Sequence, residues 1–206
     1  MKNSIIQPLF PIPLYYSNIS RDFTKKELSF IKKEKNNYIR NIGGNSHTKN
    51  VEIFKNSALK NLQKDCDFFV KDYFEKVIDT NNNVVPYITQ SWLNYTDKHE
   101  HHHKHNHWNS LISGVLYIDC IEGNDTIQFY RDHYETIHMQ PKNYNLFNSQ
   151  DWTVKVKPGD ILLFPSSLSH MVPQNETDNL RISLSFNVWF KGKVGDGFSL
   201  TELSVN

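Results

Sequence analysis

Between residues 86 and 190 the chain breaks into short strand-like segments, 86–95, 110–119, 126–130, 152–156, 160–164 and 180–190, with no helical periodicity between them. Parallel strands need crossover helices, and nothing between these segments supplies one. An antiparallel arrangement follows. Two helical stretches come first. Thr24-Lys25-Lys26-Glu27 has the capping-box pattern and opens a helix towards Asn37. Leu59, Leu62, Cys66, Phe69, Val70, Tyr73, Phe74 and Val77 recur at three- and four-residue steps, so 56–79 reads as an amphipathic helix. Its apolar stripe needs a sheet to lie against. The expected fold is mainly β with flanking helices: a cupin-like jelly-roll barrel with N-terminal helices packed on the sheet.

At 206 residues the chain suits one domain, 1–206, with a helical part over 1–84, a jelly-roll core over 85–190 and a tail over 191–206. Twenty-three Lys and Arg against 22 Asp and Glu give a formal charge of +1, so no global field attracts nucleic acid or an anionic membrane. The opening MKNSIIQPLFPIPLYY lacks a secretory layout, and no apolar run approaches the roughly 20 residues of a membrane span, so a cytoplasmic protein is expected. Cys66 and Cys120 read as buried thiols. In an Asn-rich chain without a secretory signal, triplets such as Asn18-Ile19-Ser20 carry no glycosylation inference. Residues 41–50 read as a loop, and 132–151, without a clear period, as a lid or binding loop. The aromatic and basic residues there (Tyr134, His138, Lys142, Tyr144, Phe147) suit a peptide, a nucleotide or a small metabolite equally. Oligomeric state is open.

The chemistry concentrates in Lys98-His-Glu-His-His-His-Lys-His-Asn-His107, six of whose ten residues are histidine. His105 and His107 abut the strand 110–119, and residues i and i+2 of an extended segment share a face, so this pair suits one divalent metal. His103 with His105 is an alternative register, and Asp97 or Glu100 an alternative source of a carboxylate ligand. His99, His101, His102 and His103 read as solvated loop residues. His170, beyond the turn Pro165-Ser166-Ser167, completes three nitrogen ligands and leaves positions open on the ion. Downstream, Arg181, Ser183 and Ser185 alternate with Ile182, Leu184 and Phe186. The polar set faces solvent in an isolated strand; facing inward, Arg181 and a serine hydroxyl form a fork for a carboxylate.

The strings HNHWNSLISGVLYID, PGDILLFPSSLSHMV and NLRISLSFNVWF resemble the Fe(II)- and 2-oxoglutarate-dependent oxygenases, in the prolyl-4-hydroxylase-like group found in bacteria and phages. LFPIPLYY and SWLN are similar to that group too, so the resemblance spans about Leu9 to Phe190. It implies a double-stranded β-helix, the family's form of jelly roll. By the same resemblance His105, His107 and His170 are metal ligands, Arg181 and Ser183 hold the distal carboxylate of 2-oxoglutarate, and Tyr117 touches that cosubstrate. The implied activity is an Fe(II)/2-oxoglutarate-dependent dioxygenase (hydroxylase) using O2, with ascorbate as a candidate reductant, in the cytoplasm or, if phage-encoded, the host cytoplasm. One departure stands out: His107 occupies the place of the family's usual carboxylate ligand, which removes a negative charge from around the metal. Two other functions stay open, a metal-binding jelly-roll module without oxygenase activity and a three-histidine cupin-type oxygenase that does not use 2-oxoglutarate.

Overall fold

The computed structural model describes residues 4–42, 44–131 and 139–206. In order the elements are β1 (Tyr15–Asn18), α1 (Lys25–Glu34), β2 (Tyr38–Arg40), β3 (Ser46–Thr48), α2 (Lys60–Tyr73), β4 (Val84–Thr96), β5 (His102–His105), β6 (Ile112–Asp119), β7 (Thr126–Tyr130), β8 (Asp151–Lys155), β9 (Asp160–Pro165), β10 (His170–Val172), β11 (Arg181–Val194) and β12 (Leu203–Val205). They form two antiparallel sheets, a larger one in the order β1-β9-β6-β11-β4-β3-β2 with β12 added beside β11, and a smaller one, β5-β10-β7-β8. This is the expected jelly roll with helices on one sheet.

The central strands of the larger sheet are buried on both faces, and period-two alternation decides which residue goes where. Ile112 and Leu116 of β6, Ile161 and Leu163 of β9, and Ile182, Leu184 and Phe186 of β11 share a core with Leu62, Cys66, Val70 and Tyr73 of α2. Their neighbours in the alternation, Val115, Tyr117, Leu162 and Phe164, meet Ile127 and Phe129 from the smaller sheet. At about 1.5–3 kcal/mol for each fully buried aliphatic or phenyl side chain, these two cores fix the register of the central strands. The amphipathic stripe of α2 therefore finds the sheet its pattern requires.

The N-terminal helices are tied together by one arginine. Thr24 caps α1, its hydroxyl accepting from the Glu27 amide at 3.2 Å while the Glu27 carboxylate accepts from the Thr24 amide at 2.7 Å. Arg21 then bridges Glu27 at 2.9 Å and Asp65 of α2 at 2.7 Å. The expected elements need four corrections. Helix α1 stops at Glu34 because the chain turns at once into β2. The stretch 56–79 is helical but mixed: a short 3-10 turn, α2, and a π turn ending at Asp79 with φ 43°. The expected loop 41–50 contains β3, which pairs with β2 and with β4. The tail is not all coil either, since β11 runs on to Val194 and β12 pairs against its end. Tyr134 and His138 of the expected binding loop lie outside the described residues. No described helix is long and apolar enough to cross a membrane.

Gly114 of β6 lies directly under the Phe186 ring, where an added Cβ would overlap the ring carbons. Gly114→Ala should therefore cost ~1–3 kcal/mol through overpacking, read as a lower urea midpoint with unchanged m-value. A midpoint equal to wild type would show that this contact does not constrain the sheet.

Candidate metal centre and adjoining recess

Strands β5 and β10 pair with His105 directly opposite His170, which places one imidazole from each strand in the same space, their ring centroids 4.4 Å apart. His107 follows β5, anchored by its backbone amide donating to the Ser166 carbonyl at 3.0 Å. Its ring lies 5.2 Å from that of His105 and 5.3 Å from that of His170. One ring nitrogen from each of the three converges within 4.8 Å of the others.

In each ring Nδ1 is already engaged. His105 Nδ1 donates to the His103 carbonyl at 2.7 Å, and His170 Nδ1 to the Leu168 carbonyl at 3.1 Å. His107 Nδ1 lies 2.7 Å from Asn187 Oδ1 and 2.8 Å from the Ser113 hydroxyl, so its proton is shared between two acceptors. Asn187 is oriented for this, because its Nδ2 donates to Gln90 Oε1 at 3.2 Å. Ser113 in turn contacts Ser166 at 2.9 Å, and Ser166 donates to Ser110 at 2.8 Å. Ser110 ends the chain on the Ile112 carbonyl at 2.9 Å. With the proton on Nδ1, each Nε2 keeps its lone pair, the state a metal needs.

Burial also keeps the rings neutral. It lowers His105 to about 4 and His170 to about 3, the neighbouring imidazoles adding to the effect, and it lowers His107 as well. His102 is pushed to about 2 by burial and by the surrounding rings. This corrects its reading as a solvated loop residue. His102 belongs to β5, stacks on His105 with centroids 4.2 Å apart, and lines the recess beside the cluster. His103 is not in the converging group, so the His103/His105 register is not the one the fold assembles. Neither Asp97 nor Glu100 reaches the cluster; they pair with Lys35 at 3.2 Å and Arg40 at 3.0 Å.

A recess runs inward from the imidazoles and is lined by Tyr117, Ser183, Ser185 and Arg181. The alternation of β11 thus faces the barrel interior, not solvent. Arg181 is 4% exposed and donates to Asp125 Oδ1 and to the Pro173 carbonyl, each at 2.8 Å. Asp125 Oδ2 also accepts from the Ile121 amide at 2.7 Å. The Tyr117 hydroxyl is buried without a partner, as is Asn94 Oδ1. Burial raises the Tyr117 hydroxyl above its usual range, so it remains a donor. Asp125, Asn187, Ser113 and His102 are the residues that sequence reasoning missed. Only Asn187 carried a signal, since it continues the alternation 181, 183, 185. The expected binding loop contributes neither Lys142, Tyr144 nor Phe147 to the recess; Arg131 donates to the Phe147 and Leu146 carbonyls, each at 3.0 Å.

Residues 90–187 match the sequence family described as "Putative 2OG-Fe(II) oxygenase". No curated protein matches the chain. Among solved structures the fold is similar to HygX from Streptomyces hygroscopicus, solved with nickel, 2-oxoglutarate and hygromycin B (TM-score 0.59, 12% identity, 86% of this chain and 82% of that one). It is also similar to the epimerase SnoN in complex with Fe3+, alpha ketoglutarate and nogalamycin RO (0.60, 10%, 91% and 84%). A third is a Pseudomonas putida prolyl-4-hydroxylase (0.53, 11%, 85% and 92%). At these identities the likeness is one of fold.

Two expectations follow from the site. Replacing Asn187 by Leu removes an acceptor from the His107 proton and should weaken Ni(II) binding by about tenfold in calorimetry; unchanged affinity would remove Asn187 from any role in orienting the ring. Second, imidazoles lowered from 6.5 to about 3 and 4 bind fewer protons folded than unfolded. Their contribution to stability is intact above the unfolded value and lost as pH falls towards the folded ones. The Tm of metal-free protein should hold down to pH 6.5 and drop below it, and a double His105→Gln, His170→Gln variant should flatten that drop. An identical pH profile for the variant would contradict this.

Proposed function

We propose, from the match of residues 90–187 to the family described as "Putative 2OG-Fe(II) oxygenase", that the chain is an Fe(II)- and 2-oxoglutarate-dependent dioxygenase that hydroxylates a bound substrate. The observation that carries the reading is one recess lined both by three converging neutral imidazoles and by a buried arginine. His105, His107 and His170 would hold the metal and leave coordination positions open. The donor set fits: every Nδ1 is engaged elsewhere, and the orphaned Tyr117 hydroxyl is a donor awaiting an acceptor in the recess. Iron and 2-oxoglutarate, when bound, supply the oxidising chemistry, in which O2 and cosubstrate become succinate and CO2 while a substrate C–H gains a hydroxyl, with ascorbate as a candidate reductant.

What the chain's own residues do is bind, orient and neutralise. Arg181 keeps N–H donors beyond those spent on Asp125 and Pro173, and with Ser183 and Tyr117 these would hold a distal carboxylate. The charges balance with a dianion. Three imidazoles are neutral and Arg181 is offset by Asp125, so a divalent metal brings two unmatched positive charges into a buried site. A dianionic cosubstrate supplies the complement. The same pairing is the observation that favours the three-histidine cupin-type reading, because Arg181 is already partnered without any ligand.

Succinate formation and O2 uptake by the iron-loaded protein separate the two readings. The proposal expects succinate to form only with 2-oxoglutarate present, and expects His105→Ala to abolish it. Arg181→Ala should raise the 2-oxoglutarate requirement by roughly 100-fold, equivalent to ~3 kcal/mol for half of a buried charge pair. That variant alone leaves Asp125 buried and unpaired, so the double variant Arg181→Ala, Asp125→Asn is the control for folding. O2 uptake independent of 2-oxoglutarate would favour the cupin-type reading; unchanged 2-oxoglutarate dependence in the double variant would overturn the role of Arg181.

A further inference from the structure

Beside the same imidazoles lies a second, open cavity of about 310 Å³, lined by Trp108, His47, Asn41 and Gln90 and sharing Trp92, Asn94 and His102 with the recess. That is room for a ligand of one or two rings. No aspartate, glutamate, lysine or arginine lines it among the described residues. The charged residues next in sequence to its walls are engaged elsewhere: Arg40, beside Asn41, donates to Glu100 and to the Gly44 carbonyl at 3.0 Å each, Glu52, beside Val51, pairs with Lys55 at 2.7 Å, and Lys104, beside His105, lies over the Tyr130 ring at 4.3 Å. An ionised substrate seated in this space would find no counter-charge on its walls.

The polar groups that are present have a common character. Asn41, Gln90 and Asn94 each carry a carboxamide; Gln90 Oε1 accepts from Asn187 at 3.2 Å and Asn94 Nδ2 donates to Ser185 at 2.9 Å, so Gln90 brings amide donors and Asn94 its Oδ1 acceptor, while His47 donates from Nδ1 to the Thr48 carbonyl at 2.9 Å, leaving Nε2 as an acceptor. Asn94 Oδ1, buried and without a partner, accepts only from an O–H or N–H. Groups that donate and accept in turn match hydroxyls and amides, not phosphates or carboxylates. Trp108 adds an aromatic face. It lines the cavity yet is 84% exposed, and Asn109 after it sits at φ 55°, turning the chain sharply towards β6. An indole left in water beside a cavity is a platform for a ring that stacks or presents C–H bonds.

We infer that this cavity binds the primary substrate, and that the substrate is an uncharged, hydroxyl- or amide-bearing ring of the glycoside or nucleoside kind, seated against Trp108 with its reacting C–H facing His105 and His107. This rests on the oxygenase reading for its chemistry, though the binding site itself does not require it.

Saturation-transfer NMR tests it with methyl glucoside and uridine as neutral probes and methyl glucuronide and uridine monophosphate as their charged counterparts. Protein is used metal-free and loaded with Zn(II) and 2-oxoglutarate. Saturation transfer is expected from at least one neutral ring, at least tenfold weaker affinity for its charged counterpart, and at least a threefold loss of signal in Trp108→Ala, which is exposed enough to leave folding and Zn(II) affinity unchanged. The glycoside and nucleoside arms identify which ring is preferred. Equal binding of a charged counterpart, signals that persist in Trp108→Ala, or no saturation transfer from either neutral ring would overturn the inference. Neutral-ring binding in a protein that takes up neither metal nor 2-oxoglutarate would instead leave the cavity assignment standing and defeat the oxygenase reading.

Discussion

Strand β11 is hydrogen-bonded along both edges, to β4 from Arg181↔Thr96 to Gly192↔Val84 and to β6 from Ile182↔Asp119 to Val188↔Ile112. This double pairing fixes which of its side chains enter the barrel. A slip of one residue would exchange Arg181, Ser183, Ser185 and Asn187 for Ile182, Leu184, Phe186 and Val188. The helices prevent it, since Leu184 and Phe186 are fully buried in the core they share with α2. The apolar face of β11 therefore positions its polar face. Arg181 and Asn187, one in the recess and the other behind a metal-site histidine, are held by the same ladder.

The electrostatics follow from that placement. Everything the barrel presents to the imidazoles is neutral or internally balanced: Arg181 against Asp125, amides and hydroxyls against one another. The His107 Nδ1–H has two oxygen acceptors in place and a serine chain behind them. With histidine where the resembled family has a carboxylate, the charge of a divalent metal held there would be met by an anion bound beside it.

Much of this was legible in the sequence where burial imposes a period. Alternation in 180–190 gave the two faces of β11, the three- and four-residue steps gave α2, and the spacing of His105 and His107 before an apolar strand gave two members of the cluster. Legibility failed where burial imposes none. His102 sits in a strand whose sequence is His-His-Lys-His, with no apolar alternation, so it read as loop. The strands β2 and β3 are short, and β2 is exposed at every residue. Asp125 sits between a turn and β7, 56 residues before Arg181, and no local pattern announces a partner that only the barrel's closure brings near.

If three imidazoles and a buried arginine frame one site for a metal and a 2-oxo diacid, the visible absorption of the protein with Fe(II) and 2-oxoglutarate under anaerobic conditions, compared with succinate in place of the 2-oxo acid, reports it. A charge-transfer band is expected with 2-oxoglutarate, absent with succinate and lost in His170→Ala. Iron binding without that band would contradict such a site.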